Sequence, residues 1–318
     1  MNSSSTGGSL GTTSPGAAGI SETIGRLEIL ARHDPGGRGL SSTAPVGLLE
    51  PAARALLSAK RVIIATGFCV RSAMIGETDG PPGATALAAT LTSLGVQVMV
   101  LTDRYSASLV HAASRTRGPA LPIKDACLAV SVVSLPEESG EADQACSNLA
   151  AEFAPDLILA VERPGGASDG HRYSMRGTIL DDIAPSMDTL FPGPEGRNWK
   201  TAAIGDGGNE LGMGSLRAAC ASSVAMGEQI FCTAAADYPM AAGISNWGAY
   251  ALAGAISILA GQAILPTPEE ELSALQAVYE AGGVDGCTRE HSCSVDGLPA
   301  EDYLQIIRQI YSLVMESV

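Results

Sequence analysis

The sequence predicts an α/β fold, a three-layer αβα arrangement around a mostly parallel, Rossmann-like sheet. Short runs rich in β-branched residues, such as RVIIA (61–65) and QVMVLT (97–102), alternate with helical segments rich in Ala and Leu. That alternation is the pattern of parallel strands joined by helical crossovers and covered on both faces. Aromatic residues are only 4% of the 318, so the layers pack closely through small side chains, unlike a β-sandwich.

The elements follow in order. Residues 1–19 are mostly Ser, Gly, Thr and Ala with no charged side chain. A secretory signal needs a basic start and an apolar block, and a transit peptide needs arginines, so this stretch reads as a disordered tail. Residues 20–318 read as one α/β domain. Helical periodicity covers 20–32 and 46–60, and the first strand is 61–65. A loop over 68–82 leads to a helix at 83–94 that Gly95 closes. Strand 97–102 ends on Asp103. Further strands are expected at 128–135 and 157–161, with a helix over 140–153 between them. Strand 201–204 opens into GDGGNELGMG. A helix over 215–226, a strand at 230–233 and a weak strand or turn at 238–243 come next. A long apolar helix (245–265) and two amphipathic ones (269–281 and 299–316) finish the chain.

Acidic residues outnumber basic ones 34 to 19, a formal charge of −15. Such a surface repels nucleic-acid phosphates and anionic lipids, so neither nucleic acid nor membrane is an expected partner. The apolar stretch 249–265 is shorter than the ~20 residues of a membrane span and contains Gln262, so it reads as a core helix. The seven cysteines form no CxxC pair and fit no zinc spacing. They imply a reducing compartment, and a cytoplasmic location is the expectation. Self-association into a homo-oligomer is compatible with the sequence.

Ligands of open parallel sheets bind at the carboxyl ends of the strands, so the residues following each strand are the candidates. Strand 61–65 leads to Glu77 and Asp79 in ETDGPPGA, where two prolines stiffen a turn into a helix. Strand 157–161 runs into Glu162 and then Asp169, Tyr173 and Arg176. Arg176 suits a substrate carboxylate, and equally an ion pair with Glu162 or Asp182. In GDGGNELGMG, five glycines in ten residues free the backbone N–H groups of Gly207 and Gly208 to cradle an anion, beside Asp206, Asn209 and Glu210. A tight turn with a helix cap is the plainer reading of the same loop. Ser245 and Asn246 can cap the following helix or offer donors to an anionic ligand, and Asp237 is the remaining acid in reach of a strand end.

Nucleotide loops do not fit. GxxxxGK[ST] is absent, and a GxGxxG beginning at Gly205 would need glycine at Glu210. GDGGNE resembles the GDGxND loop of haloacid-dehalogenase phosphatases, but no DxD nucleophile pair accompanies it, since Arg104 and Tyr105 follow Asp103. No nucleotide cofactor is expected. The three lysines lie outside these loops, which disfavours imine chemistry.

Taken together and in order, TGF (66–68), ETDGPPGA (77–84), ERxG (162–165), DGxxYxxR (169–176), GDGGNELGMG (205–214), SNWGxYAL (245–252) and VDGLP (295–299) resemble the C-terminal domain of the D-glutamate cyclase family. The resemblance implies a hydro-lyase that converts D-glutamate to 5-oxo-D-proline and water. Lactam formation needs a base for the amine and an acid for the departing oxygen. Asp206, Glu162 and Glu210 are the candidate catalytic groups. Arg176, Asp169, Tyr173, Gly207, Gly208, Asn209, Ser245 and Asn246 are the candidate contacts to a small acidic substrate. A divalent ion, Mg²⁺ or Mn²⁺, would find ligands in Asp79, Glu77, Asp206 and Asp237. The rival readings are a metal-dependent hydrolase of a small acidic amide or phosphorylated substrate, and a non-catalytic module that binds acidic amino acids.

Overall fold

Six strands form one all-parallel sheet in the computed structural model, which describes residues 17–117, 131–136 and 138–318. In chain order β1 is Arg61–Thr66, a small hairpin pairs β2 (Cys69–Val70) with β3 (Ile75–Gly76), and β4 is Gln97–Asp103. The sheet continues with β5 (Ser131–Leu135), β6 (Leu157–Val161), β7 (Lys200–Gly205) and β8 (Tyr238–Ala241). Their order is β5-β4-β1-β6-β7-β8, and every adjacent pair is parallel. The chain therefore builds outward from β1 in one direction, then crosses back and builds from β6 in the other. Loops leaving β1 and β6 diverge to opposite faces, which opens a crevice between their carboxyl ends.

The two faces of the sheet bury alternate residues, giving a three-layer α/β fold. Val62 and Ile64 enter one core with the helices Ala17–Ala31, Leu49–Ser58, Pro81–Ser93, Ser245–Ala260 and Ala300–Met315. Ile63 and Ala65 enter the other, beside Leu190, Phe191, Leu216, Phe231 and the helix Ser139–Phe153. The helix Ser245–Ala260 is buried continuously from Ser245 to Ile258 between four others, which explains why it is apolar all round. Its Trp247 stacks on Tyr303, and the indole N–H donates to the Tyr303 carbonyl at 3.1 Å. Among the described residues no helix is long and apolar enough to cross a membrane.

Strand 157–161 falls where its pattern predicts, and the weak signal at 238–243 is a true edge strand. The helix expected over 215–226 is instead short turns, Gly214–Leu216, Arg217–Cys220 and Ala221–Ser223. Met226, in the left-handed region at φ 57°, then precedes the single helical turn Gly227–Ile230. The expected strand 230–233 is not one. Its residues Ile230 to Cys232 are buried, but the Cys232 and Thr233 N–H groups donate to loop carbonyls of Gly208 and Gly166. The helix Ala107–Thr116 was not anticipated, and it buries Leu109, Val110, Ala112 and Ala113 on one face. Of the expected tail, residues 1–16 lie outside the described residues, as do 128–130 of the strand expected at 128–135; a helix already begins at Ala17.

Candidate active site

The site is built at the crevice between β1 and β6. After β1 the chain passes through the β2–β3 hairpin to Glu77 and Asp79, then turns into the helix Pro81–Ser93. Asp79 is buried and accepts three backbone N–H groups, from Gly80 at 3.0 Å, Asn246 at 2.8 Å and Ser245 at 2.8 Å. It thus caps the start of the helix Ser245–Ala260 from a distant segment. Asn246 reciprocates, since its side-chain carbonyl accepts from the Gly80 and Gly83 N–H groups and its amide donates to the Thr78 carbonyl. Ser245 and Asn246 therefore bind the protein through these groups. Of the donors expected to face a ligand, the Ser245 hydroxyl is buried with no partner in strict hydrogen-bond geometry and lies toward Glu162, whose charged form it favours.

Glu162, immediately after β6, stands at φ 46°, a strained conformation for a non-glycine residue. The loop opposite it comes so close that a Cβ on Gly80 (φ 100°) would lie 2.9 Å from the Glu162 Cβ. Oxygens of Asp79, Glu162 and Asp206 all lie within 4.8 Å of one another, so the buried triad has the donors that a cation needs. Glu162 Oε2 is buried with no hydrogen-bond partner. Beneath it Arg163 is fully buried, paired with Asp103 and donating to the carbonyls of Gly67 and Pro185.

The GDGGNE loop does not cradle a ligand in the way its glycines suggest. Glu210 folds back and accepts the N–H groups of Asp206 at 3.0 Å, Gly207 at 2.7 Å and Gly208 at 2.6 Å. The anion in the nest is the protein's own carboxylate, so Gly207 and Gly208 hold Glu210 in place of a substrate, and Glu210 braces the turn that presents Asp206. Asn209 donates to the Tyr173 carbonyl at 2.7 Å, while its Oδ1 is buried and unpartnered.

Three other expected residues lie elsewhere. Tyr173 donates to Asp169 at 2.6 Å, so both side chains are engaged in bracing their own loop. Asp237 is at the amino end of β8, gripped by Arg197 at 2.7 and 2.8 Å and by the Thr201 N–H at 2.8 Å. It sits at the opposite edge of the sheet from the triad, and an aspartate holding an arginine there cannot share an ion with Asp206.

Two residues that the sequence reading missed complete the cluster. Arg38 pairs with Asp206 and, at 2.7 Å, with Asp296. Arg38 is flanked by glycine in GGRG, a stretch that lets backbone pass close to other loops. Asp296 and Gly297 are the two-residue turn of a hairpin between β9 (Ser294–Val295) and β10 (Leu298–Pro299), with φ 53° and 82°. Asp-Gly between extended residues is the signature of such a turn.

Burial is the main force on the acids. It raises Glu162 well above the ordinary carboxyl range, with the charges of Glu210, Asp79 and Glu77 adding to it. Glu77 is raised by burial and then by Asp296, Asp79 and Asp206. Asp206 is raised by burial although Arg38 pulls it down. Asp79 is pushed up to about 8 by burial and the Asp296 charge, against the pull of the Asn246 and Ser245 N–H groups. Burial lowers Arg38, but Asp206 and Asp296 outweigh it and its pKa is raised. The three N–H groups at Asp79 favour its ionised form, whereas Glu162 Oε2 accepts no such N–H group.

Carboxyls with raised pKa values bind more protons folded than unfolded. The stability they contribute is complete below their unfolded values near pH 4 and is lost as pH rises through the folded values. The ligand-free chain is therefore expected to melt at progressively lower temperature as pH goes from about 5 to about 8.5. A calorimetric series that is flat or rising across that window would contradict this.

A cavity of about 800 Å³ opens onto the cluster. Glu77, Glu162 and Asp206 line its floor, and Arg71, Arg176 and Arg289 also line it. Arg176 is exposed, and its guanidinium donates to the Cys287 carbonyl at 2.7 Å. Asp182, one of its anticipated partners, pairs with Arg71. The result is an acid-lined pocket with arginines around it, suited to a ligand carrying both an ammonium and carboxylates.

The family described as D-glutamate cyclase-like, C-terminal, matches residues 27–311. Human mitochondrial D-glutamate cyclase is 33% identical over 252 residues, which cover 75% of this chain and 39% of that protein. The chain thus spans about two fifths of the length of the curated relative it matches.

Proposed function

The chain belongs to the D-glutamate cyclase-like, C-terminal family, and from that premise we propose that its cavity converts D-glutamate to 5-oxo-D-proline and water. The observation that carries the proposal is the pairing of Glu162, buried with an unpartnered oxygen, with Asp206, held beside Arg38, on the floor of one cavity. Asp206 takes a proton from the substrate ammonium. That proton passes to a γ-carboxylate oxygen as the freed amine attacks the γ-carbon and the C–N bond forms. Glu162 then gives its proton to the resulting hydroxyl, the C–O bond breaks and water leaves, while the second proton lost by the nitrogen goes to Asp206 and returns to Glu162. Arg38 pulls against the burial that raises Asp206 and so favours the ionised form that acts as the base. Arg176 receives the α-carboxylate, and holding both ends of the substrate brings its amine and γ-carbon into contact.

A Mg²⁺ or Mn²⁺ ion, taking the place of the proton on Glu162, would be held by Glu162, Asp206 and Asp79 and would itself polarise the γ-carboxylate. Its binding would also relieve repulsion among the acids. Millimolar Mg²⁺ or Mn²⁺ is accordingly expected to raise the melting temperature, more at pH 8 than at about pH 5, as EDTA lowers it. Equal melting temperatures in all three conditions would remove the metal from this account.

Incubating the purified chain with D-glutamate and, separately, with 5-oxo-D-proline tests the reading by chromatography. Interconversion supports it. Binding of acidic amino acids without turnover, with or without metal, would instead favour a non-catalytic module.

A further inference from the structure

The cavity offers more than free D-glutamate can use. At about 800 Å³ it falls in the ~300–1,000 Å³ range that encloses drug-sized ligands, and glutamate fills only a fraction of that. Beyond the acidic floor the walls are Phe68, Val70 and Leu180, which suit a carbon chain. Arg289 also lines the cavity. It is exposed, and among the described residues its guanidinium makes no hydrogen bond or ion pair.

Arg289 is nonetheless firmly presented. Its own N–H donates to the Asp285 carbonyl at 2.7 Å. Asp285 is fully buried, and its carboxylate accepts the N–H groups of Cys287, Thr288 and Gly297 and the Ser294 hydroxyl, all within 2.9 Å. A loop wound around a buried carboxylate thus holds an uncommitted guanidinium against the cavity. Asp285 is spent on the loop, so Arg289 is free for a ligand.

Resting on the cyclase reading, we propose that the site also takes D-glutamate whose γ-carboxyl is joined in an amide to a carboxylate-bearing amine, and releases that amine as the ring closes. The glutamyl part occupies the floor as before. The leaving part runs along Phe68, Val70 and Leu180, and its carboxylate meets Arg289. The α-amine nitrogen bonds to the γ-carbon and the amide C–N bond breaks. Asp206 accepts the proton lost by the attacking nitrogen, and Glu162 donates one to the leaving nitrogen. Products are 5-oxo-D-proline and the free amine; no water, oxidant or reductant is consumed. Because the leaving group is a protonated amine and the electrophile an amide, the same acid and base suffice.

The test uses γ-D-glutamyl-glycine, γ-D-glutamyl-methylamide (the same amide without the carboxylate) and D-glutamate, each with the purified chain. Glycine release is expected, with kcat/KM about tenfold or more above that for the methylamide, as a charge-assisted hydrogen bond at a partly exposed site provides. Arg289→Ala should bring the ratio of the two amides close to one, and Arg289→Lys should restore part of it. Conversion of D-glutamate with no glycine released from the dipeptide would overturn this proposal and leave the cyclase reading standing. No product from any substrate would overturn both. An amide preference that survives Arg289→Ala would remove Arg289 from the assignment.

Discussion

Glu162→Gln is expected to lower D-glutamate turnover by about 10²–10⁴-fold, the range for removing a general acid, with little change in substrate affinity. Glutamine keeps the length and shape of the side chain and tolerates the same backbone conformation, but it cannot give up a proton to a departing oxygen. Among the described residues Glu162 makes no ion pair with an arginine, and its Oε2 is buried without a hydrogen-bond partner. Asp206→Asn is expected to lose a similar factor for the opposite reason, the loss of a proton acceptor. Arg38 would then face a neutral amide in place of one of its two carboxylates. The effect should appear in kcat and kcat/KM together, as for interactions made only in the transition state. Wild-type turnover in either variant would remove that residue from the chemistry.

Arg163→Leu is expected to destabilise the fold by about 3–5 kcal/mol, because it leaves Asp103 charged and buried with its cation gone. Both side chains are almost fully buried, and Arg163 also bonds the carbonyls of Gly67 and Pro185, which tie β1 to the loop carrying Glu162. Replacing both partners, Arg163→Leu with Asp103→Leu, should recover part of the loss, since no bare charge remains. Urea denaturation of the three variants measures this. A single-variant loss under about 1 kcal/mol would mean that Asp103 is neutralised by another route.

The sheet was legible because its strands carry their own evidence. Leu157–Val161 is apolar throughout and bounded by Pro155–Asp156 on one side and Glu162 on the other, so composition alone delimits it. The rule that ligands sit beyond strand ends then pointed to Glu77, Asp79, Glu162 and Asp206, which the fold does gather. What could not be read was which groups the protein keeps for itself. Glycine-rich N–H groups look the same whether they hold a substrate or Glu210, and Ser245 and Asn246 read equally well as a cap or as ligand donors. Asp237 follows no rule of its own, and only the sheet shows it at the wrong edge. Arg38 escaped notice because it reaches Asp206 across 168 residues and Asp296 across 258, from a glycine-rich stretch with no strand before it. Asp296 had a local signal, the Asp-Gly turn in VDGLP, but nothing in that turn says that the aspartate faces an arginine.

On the proposed reading, D-glutamate sits in this cavity with its γ-carboxylate over Glu162 and Asp206. A crystal structure of the Glu162→Gln variant, grown with D-glutamate, tests it most directly. The amino acid is expected on the cavity floor, with its γ-carboxylate within hydrogen-bond reach of position 162, its ammonium on Asp206 and its α-carboxylate on Arg176. D-glutamate bound at another place on the chain, or seated in the cavity with its ammonium turned away from Asp206, would contradict it.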